Sequence, residues 1–338
     1  MKITMSTVKV LLIWGLFAFF LALGFLQARE ISRFSGASLR FNTPVSGSEA
    51  YRARQFSVNN ADSSNVFWPT FWREGSVDID AGIRQRHVSA IYFSGDASLV
   101  WPMDFIVGTA PSSLDGNGVA VSEATAHALW GSTDIVGLPV YVNDMQRTVR
   151  GVFSGAYELV LVGFHIEDMS QYFTAAELSE SNPRHGITRA EAETFAISAG
   201  LGRPDYILTG GAGAFAWGLS VLPLVIPVLY GFFMIVAFLK KYHPAMVVPL
   251  FFAGIILFAI LLPFLLGQIA DWLIPTHWSD FSFWGALFGQ ASGSLREFLS
   301  VNPAMRDVEL RLLLLRQIFI VFIAVCCGIF SALKMKRV

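Results

Sequence analysis

Apolar positions along the chain fall into two regimes. In residues 10–27, 215–239, 246–269 and 317–333 they are nearly unbroken. Each run approaches the roughly 20 residues that a helix needs to cross a hydrocarbon core of about 30 Å. Between the first and second runs the pattern changes to short alternating stretches and helical spacings, over a length typical of a folded domain. The order is therefore one span, one domain, then three spans. The boundaries read as a tail at 1–9, a span at 10–27, a domain at 28–212, a span at 213–239 and a turn at 240–245. A span at 246–270, an outer segment at 271–315, a span at 316–334 and a tail at 335–338 complete the chain.

Inside the domain, GVAVS alternates as a strand, and Ser122 can cap a helix running from Glu123 to Trp130, with Gly131 as its stop. LPVYV and TVRGVF follow as two strands joined by NDMQ, which makes a β-α-β-β unit with one helix on a small, mostly antiparallel sheet. Upstream, VFWPTFWREGSVDID, HVSAIYFSG and MDFIVGTAP read as strands; downstream, YELVLVGF reads as a buried strand. TAAELS and TRAEAETFAISAGL read as short helices, the second capped by Thr188 ahead of Glu191 and Glu193. The fold class expected is a four-span (1+3) α-helical membrane protein with an extracytoplasmic α+β domain.

Composition agrees: of 338 residues 54% are hydrophobic and 14% charged, too apolar for an ordinary soluble domain. The first run reads as an uncleaved anchor. It is longer than the usual 7–15 residue signal core, and Leu26 stands where a small residue would precede cleavage in the alternative, a signal peptide. Basic residues set the orientation. Lys2, Lys9, Lys240, Lys241, Lys334, Lys336 and Arg337 fall on one side, against Arg29, Arg33, Arg311 and Arg316 on the other. Both termini are thus expected in the cytoplasm of a cell-membrane protein, with 28–212 and 271–315 outside. Cys326 and Cys327 both lie in the last run, which leaves the outer domain without a disulfide. A net charge of −1 argues against a nucleic-acid partner.

The candidates for chemistry are sparse. His127 is isolated and reads as a surface or cap residue; His165 and Asp168 in HIED stand three apart without further ligands at metal spacing. The spans carry Ser220 and Gln268 as their main polar groups, which gives little support to ion conduction or intramembrane catalysis. No GxxxxGK[ST], HExxH or GxSxG pattern occurs. No catalytic, cofactor-binding or metal-binding residue, and no cofactor, is assigned.

Residues 104–153, DFIVGTAPSSLDGNGVAVSEATAHALWGSTDIVGLPVYVNDMQRTVRGVF, resemble the periplasmic core domain of MacB-type ABC permeases, relatives of FtsX and the lipoprotein-releasing permeases. The likeness rests on Gly108, Val119, Val121, Ser122, Glu123, Ala126, Leu129, Gly131, Asp134, Gly137, Val140, Val149, Gly151 and Val152. It implies a non-enzymatic subunit that relays motion from a cytoplasmic ABC ATPase on another chain to the outer domain, with the lipid bilayer around it. The sequence departs from that family at KKYHPAM, where a coupling helix is normally found. A second permease subunit would then supply the docking surface. The alternative is an ATPase-independent scaffold that binds an extracytoplasmic protein.

Three further features bear on the membrane side. DWLIPTHWSDFSFWGALFG is rich in Trp and Phe and reads either as an interfacial helix, capped by Ser279 or Asp280, or as a loop against its own spans. From Pro303 onward the pattern fits one helix longer than the bilayer core, a stalk that transmits motion or merely supports the domain. TGGAGAFAWG reads as a flexible joint, and Pro223 and Pro227 share one face of the second span.

Overall fold

The computed structural model describes residues 5–34, 36–61, 66–82, 84–180, 187–209, 211–242 and 296–335, with scattered positions from 248 to 293. Most of the expected third span and of the aromatic outer stretch, and half of the short turn at 240–245, lie outside the described residues. The chain divides into two compact units: residues 34–210 with 288–308, and the remaining segments 1–33, 211–287 and 309–338.

The first unit is built on a ten-stranded mixed sheet among the described residues. Its strands are β1 (Ala37–Ser46), β2 (Phe67–Asp80), β3 (Gln85–Ser94), β4 (Phe105–Gly108), β5 (Gly118–Ser122), β6 (Pro139–Val142), β7 (Met145–Phe153), β8 (Leu159–Gly163), β9 (Tyr172–Glu180) and β10 (Tyr206–Thr209). They pair in the order β10-β1-β9-β2-β3-β8-β5-β7-β4. β6 pairs with both β7 and the end of β2, so β2, β3, β8, β5, β7 and β6 close into a ring. Interior positions such as Val77, Val88, Val119, Val149 and Val160 form one buried cluster with Ala126 and Leu129 of α4 (Glu123–Trp130). β-Branched side chains suit this pleated, doubly covered surface. The opposite face packs Trp72, Phe93, Phe153 and Leu161 against α3 (Ala97–Val100). Toward the β10 end, α2 (Gly47–Asn59) and α5 (Arg189–Ser198) cover β1, β9 and β2 through Ala50, Ala53, Ala192 and Phe195.

The β-α-β-β unit forms as the sequence predicts. Ser122 caps α4 by accepting from Thr125 N, and Gly131 ends it at φ 73°, a backbone state that a residue without Cβ adopts freely. Asn143 and Asp144, at φ 48° and 63°, make the two-residue turn between β6 and β7, whose paired positive angles match strand twist. Thr188 and Glu191 form a capping box on α5.

Three expectations change. TAAELS belongs to β9 and is not helical: β1 and β2 pair with it from both sides, which overrides the helix preference of Ala-Ala-Glu-Leu. The sheet is larger than expected and includes parallel pairs, β3 with β8 and β5 with β7. Most of TGGAGAFAWG is helical: β10 ends at Thr209, helix α6 (Gly211–Tyr242) begins two residues later, and the boundary between the two units falls inside the stretch. Its glycine has a packing reason: a Cβ on Gly213 would come within 3.0 Å of Ser32 Oγ on α1 (Met5–Ser32). Pro223 and Pro227 both lie inside α6.

The last helix, α7, runs unbroken from Met305 to Met335, starting two residues after Pro303. Three described helices are long and apolar enough to cross a membrane, over Leu12–Ser32, Gly211–Ala237 and Met305–Ser331.

Candidate functional site

The residues singled out in the sequence are dispersed. His127 lies exposed on α4, with Nε2 3.9 Å from Glu123 Oε1. His165 and Asp168 occupy a turn between β8 and β9. His165 Nδ1 accepts from Glu167 N at 3.2 Å, and Asp168 Oδ1 accepts from Ser170 N and Oγ at 3.0 and 2.6 Å. Burial pushes the Asp168 carboxyl up, but the bonds from Ser170 and Gln171 and the nearby Arg147 charge outweigh it and hold the group below the usual range. Cys326 and Cys327 are free thiols on α7, Ser220 is buried on α6, and Gln268 lies outside the described residues. Among the described residues no cluster of three or more His, Cys, Asp or Glu could hold a metal ion.

The turn carrying HIED is held by two buried arginines that the sequence did not mark. Arg54 of α2 donates through Nη1 to Ile166 O at 3.1 Å and through Nη2 to Ser94 O. Arg147 of β7 donates through Nη1 to Gly116 O and Gly163 O at 2.9 and 2.8 Å. Burial pulls the Arg54 guanidinium down to about 10. Burial also lowers Arg147, partly offset by Tyr92, Asp115 and Asp168. Both lie over aromatic rings, Arg54 at 5.2 Å from Phe71 and Arg147 at 5.3 Å from Phe164. Arg147, His165 and Asp168 also line a cavity of about 500 Å³. The hydrogen bonds there, that of Ser170 Oγ to Asp168 included, fix the path of the turn.

The most concentrated charge in the sheet unit lies elsewhere, where the first turn of α7 meets β1, β2 and β9. Arg40 Nη2 reaches Asp307 Oδ1 at 2.8 Å, and Arg306 Nη2 reaches Glu177 Oε2 at 3.3 Å. Arg40 Nη2 is also 3.9 Å from Glu177 Oε1. The Glu177 carboxylate accepts from Ser38 Oγ at 2.6 Å and Trp72 Nε1 at 2.9 Å. Arg40 stacks over Trp72 at 4.5 Å, and Arg306 over Phe34 at 5.3 Å.

The same cluster satisfies the open backbone groups at the head of the helix. Asp307 Oδ2 accepts from Ala304 N at 3.1 Å, and Glu74 accepts from Met305 N. Asp307 is also favourably placed against the positive end of α7.

At its buried centre two cations face two carboxylates, all four residues at most 9% exposed, with the Glu74 carboxyl beside them. In such surroundings the desolvation of each ion is offset only while its partner stays in place. Arg40 and Arg306 each keep a buried Nε without a partner, so even the assembled cluster is not fully satisfied. The arrangement suits fixing one element to another. The sequence signal for it was the pair Arg306-Asp307 at the start of the helix that leads into the last apolar run; Arg40 and Glu177 carry none, because a single charge in a strand says nothing about which strand will lie beside it.

No protein-family model and no curated protein matches the sequence. Among solved structures, the chain is similar to the periplasmic region of MacB from Actinobacillus actinomycetemcomitans, at 13% identity and a TM-score of 0.40, over 52% of this chain and 87% of that one. It is also similar to the extracellular domain of the noncanonic ABC-type transporter YknZ from Gram-positive bacteria, at 11% identity and a TM-score of 0.36, over 48% and 88%.

Proposed function

We propose that the chain is a permease-like membrane subunit of an ABC-type, MacB/FtsX-like assembly. A cytoplasmic ATPase on another chain drives movement of the sheet domain on the far side of the membrane, for export or signalling. The observation that carries this reading is α7, one unbroken helix with Arg306 and Asp307 in its first turn and an apolar run beyond it. A charge-balanced, buried anchor at the head of a span resists being pulled apart, since separating it exposes uncompensated charge. It is therefore fitted to carry displacement along the helix into the sheet. The motif between Asp104 and Phe153 supports the same family reading and supplies scaffold positions, with no catalytic role.

In this reading both termini are cytoplasmic and the protein is not itself an enzyme. Four spans place residues 28–212 outside, and a second permease subunit contributes the ATPase docking surface that residues 240–245 are too short to provide. That same short segment favours a second reading, an ATPase-independent scaffold that binds an extracytoplasmic protein.

Mild-detergent purification of the tagged chain from its native membranes separates the two. Co-purification of an ABC ATPase and a second permease in fixed proportion is the expected result. Recovery of an extracytoplasmic protein with no ATPase would replace the first reading with the second.

A further inference from the structure

Ser220 was singled out in the sequence as a polar group within a span, and the function proposed above does not use it. In the membrane unit it lies at the meeting point of α1, α6 and α7. Ser220 is 1% exposed and Gln317 of α7 is 0% exposed. Gln317 Nε2 donates to Ser220 Oγ at 2.7 Å and lies 3.3 Å from Ala216 O; the single Ser220 Oγ proton is shared between Ala216 O of its own helix at 2.9 Å and Gly24 O of α1 at 3.0 Å. One turn away, Gln27 Nε2 of α1 donates to Leu313 O of α7 at 3.4 Å. Positions three or four apart on a helix share a face, so Gly24 with Gln27, Ala216 with Ser220 and Leu313 with Gln317 form matching rungs on the three helices.

The orientation of the Gln317 amide is not arbitrary. Rotating it by half a turn would set its oxygen against the Ala216 carbonyl oxygen, acceptor to acceptor. Its Oε1 is buried without a partner, so the side chain already carries one unmet group. In hydrocarbon, sliding α7 by a turn would strand the donor half as well. Gly24 sits at the point of contact: a Cβ there would meet Ser220 Oγ at 3.7 Å and Ile320 Cγ2 at 3.8 Å, ordinary packing distances. Further along, Gly328 of α7 packs against Phe17 of α1, and such apolar contacts hold helices together without fixing their register.

We infer that Gln317, Ser220 and the Gly24 carbonyl form a polar register lock, which selects one axial setting of α7 against α1 and α6. The inference rests on the reading of these helices as membrane spans and holds whether or not an ATPase is the partner. The test is disulfide cross-linking of the full chain in native membranes, with Cys326 and Cys327 replaced by Ala. Phe17→Cys is combined in turn with Ala324→Cys, Gly328→Cys and Ser331→Cys.

With Gln317 present, oxidation should favour the 17–328 pair. Gln317→Leu should shift product toward the 324 and 331 pairs by roughly three- to tenfold, the ratio that one interhelical hydrogen bond in a membrane supports. Ser220→Ala, a small change that leaves packing intact, should move the pattern in the same direction. An unchanged pattern in both variants would overturn the lock. Alkaline carbonate extraction run alongside reads the spans separately: release of the parent chain would overturn the span reading and the lock with it, whereas retention with an unchanged pattern would overturn the lock alone.

Discussion

At the scale of single residues, the ionic cluster makes the sharpest demands. Glu177→Ala leaves Arg306 and Arg40 short of a partner and removes the acceptor for Ser38 Oγ and Trp72 Nε1. The expected loss is about 3–5 kcal/mol, the range for breaking a buried ion pair from one side. Denaturant unfolding of the detergent-solubilised chain measures it, and a loss below about 1 kcal/mol would mean that the cluster does not anchor α7. Gly108 is a second strict position. At φ 74°, an added Cβ would also run into the Arg150 carbonyl, so Gly108→Ala should destabilise by more than about 1 kcal/mol in the same assay. Gly108 and Gly131 were legible in the sequence as part of a motif. Arg40 and Glu177 were not, because their meaning comes from partners 267 and 139 residues away in the chain.

At the scale of elements, the capped helices are where local sequence is most decisive. Ser46 and Glu49 form a capping box at the start of α2, with Glu49 N to Ser46 Oγ at 3.3 Å and Ser46 N to Glu49 Oε2 at 2.8 Å. The backbone bond from Ser46 holds the Glu49 carboxyl below its ordinary range, with the Ser46 hydroxyl adding to it. A depressed carboxylate stabilises the fold above its unfolded-state pKa, and that contribution fades as pH falls through the lower folded-state value. Hydrogen-exchange protection of the first turn of α2 should therefore drop under acid conditions in the parent chain. Glu49→Gln should show no such drop between neutral and acid pH, and a matching drop in that variant would remove Glu49 as the cause. Ser46→Ala should weaken the fold by about 1 kcal/mol at neutral pH. β9 illustrates the opposite case: its sequence prefers helix, and only the ladders on both sides make it a strand.

At the scale of the whole molecule, the proposed topology makes a direct prediction. In intact cells a membrane-impermeant maleimide should label Asn143→Cys, whereas Lys240→Cys should react only after permeabilisation, both in a background with Cys326 and Cys327 replaced. The reverse labelling would sink the orientation on which the coupling proposal stands.

The sequence by itself determined the apolar runs and the polar domain between the first two, the caps at Ser122 and Thr188, the Gly131 stop and a turn within NDMQ. These depend on hydrophobic period and on backbone preferences of neighbouring residues, which act over a few positions. Only the tertiary structure decided that β9 is a strand, that six strands close into a ring through β6, and that Arg40, Glu177, Arg306 and Asp307 meet. Strand pairing and buried ion pairs are settled by which distant segments lie side by side, and desolvation makes their energy depend on complete partnership, which no local pattern records.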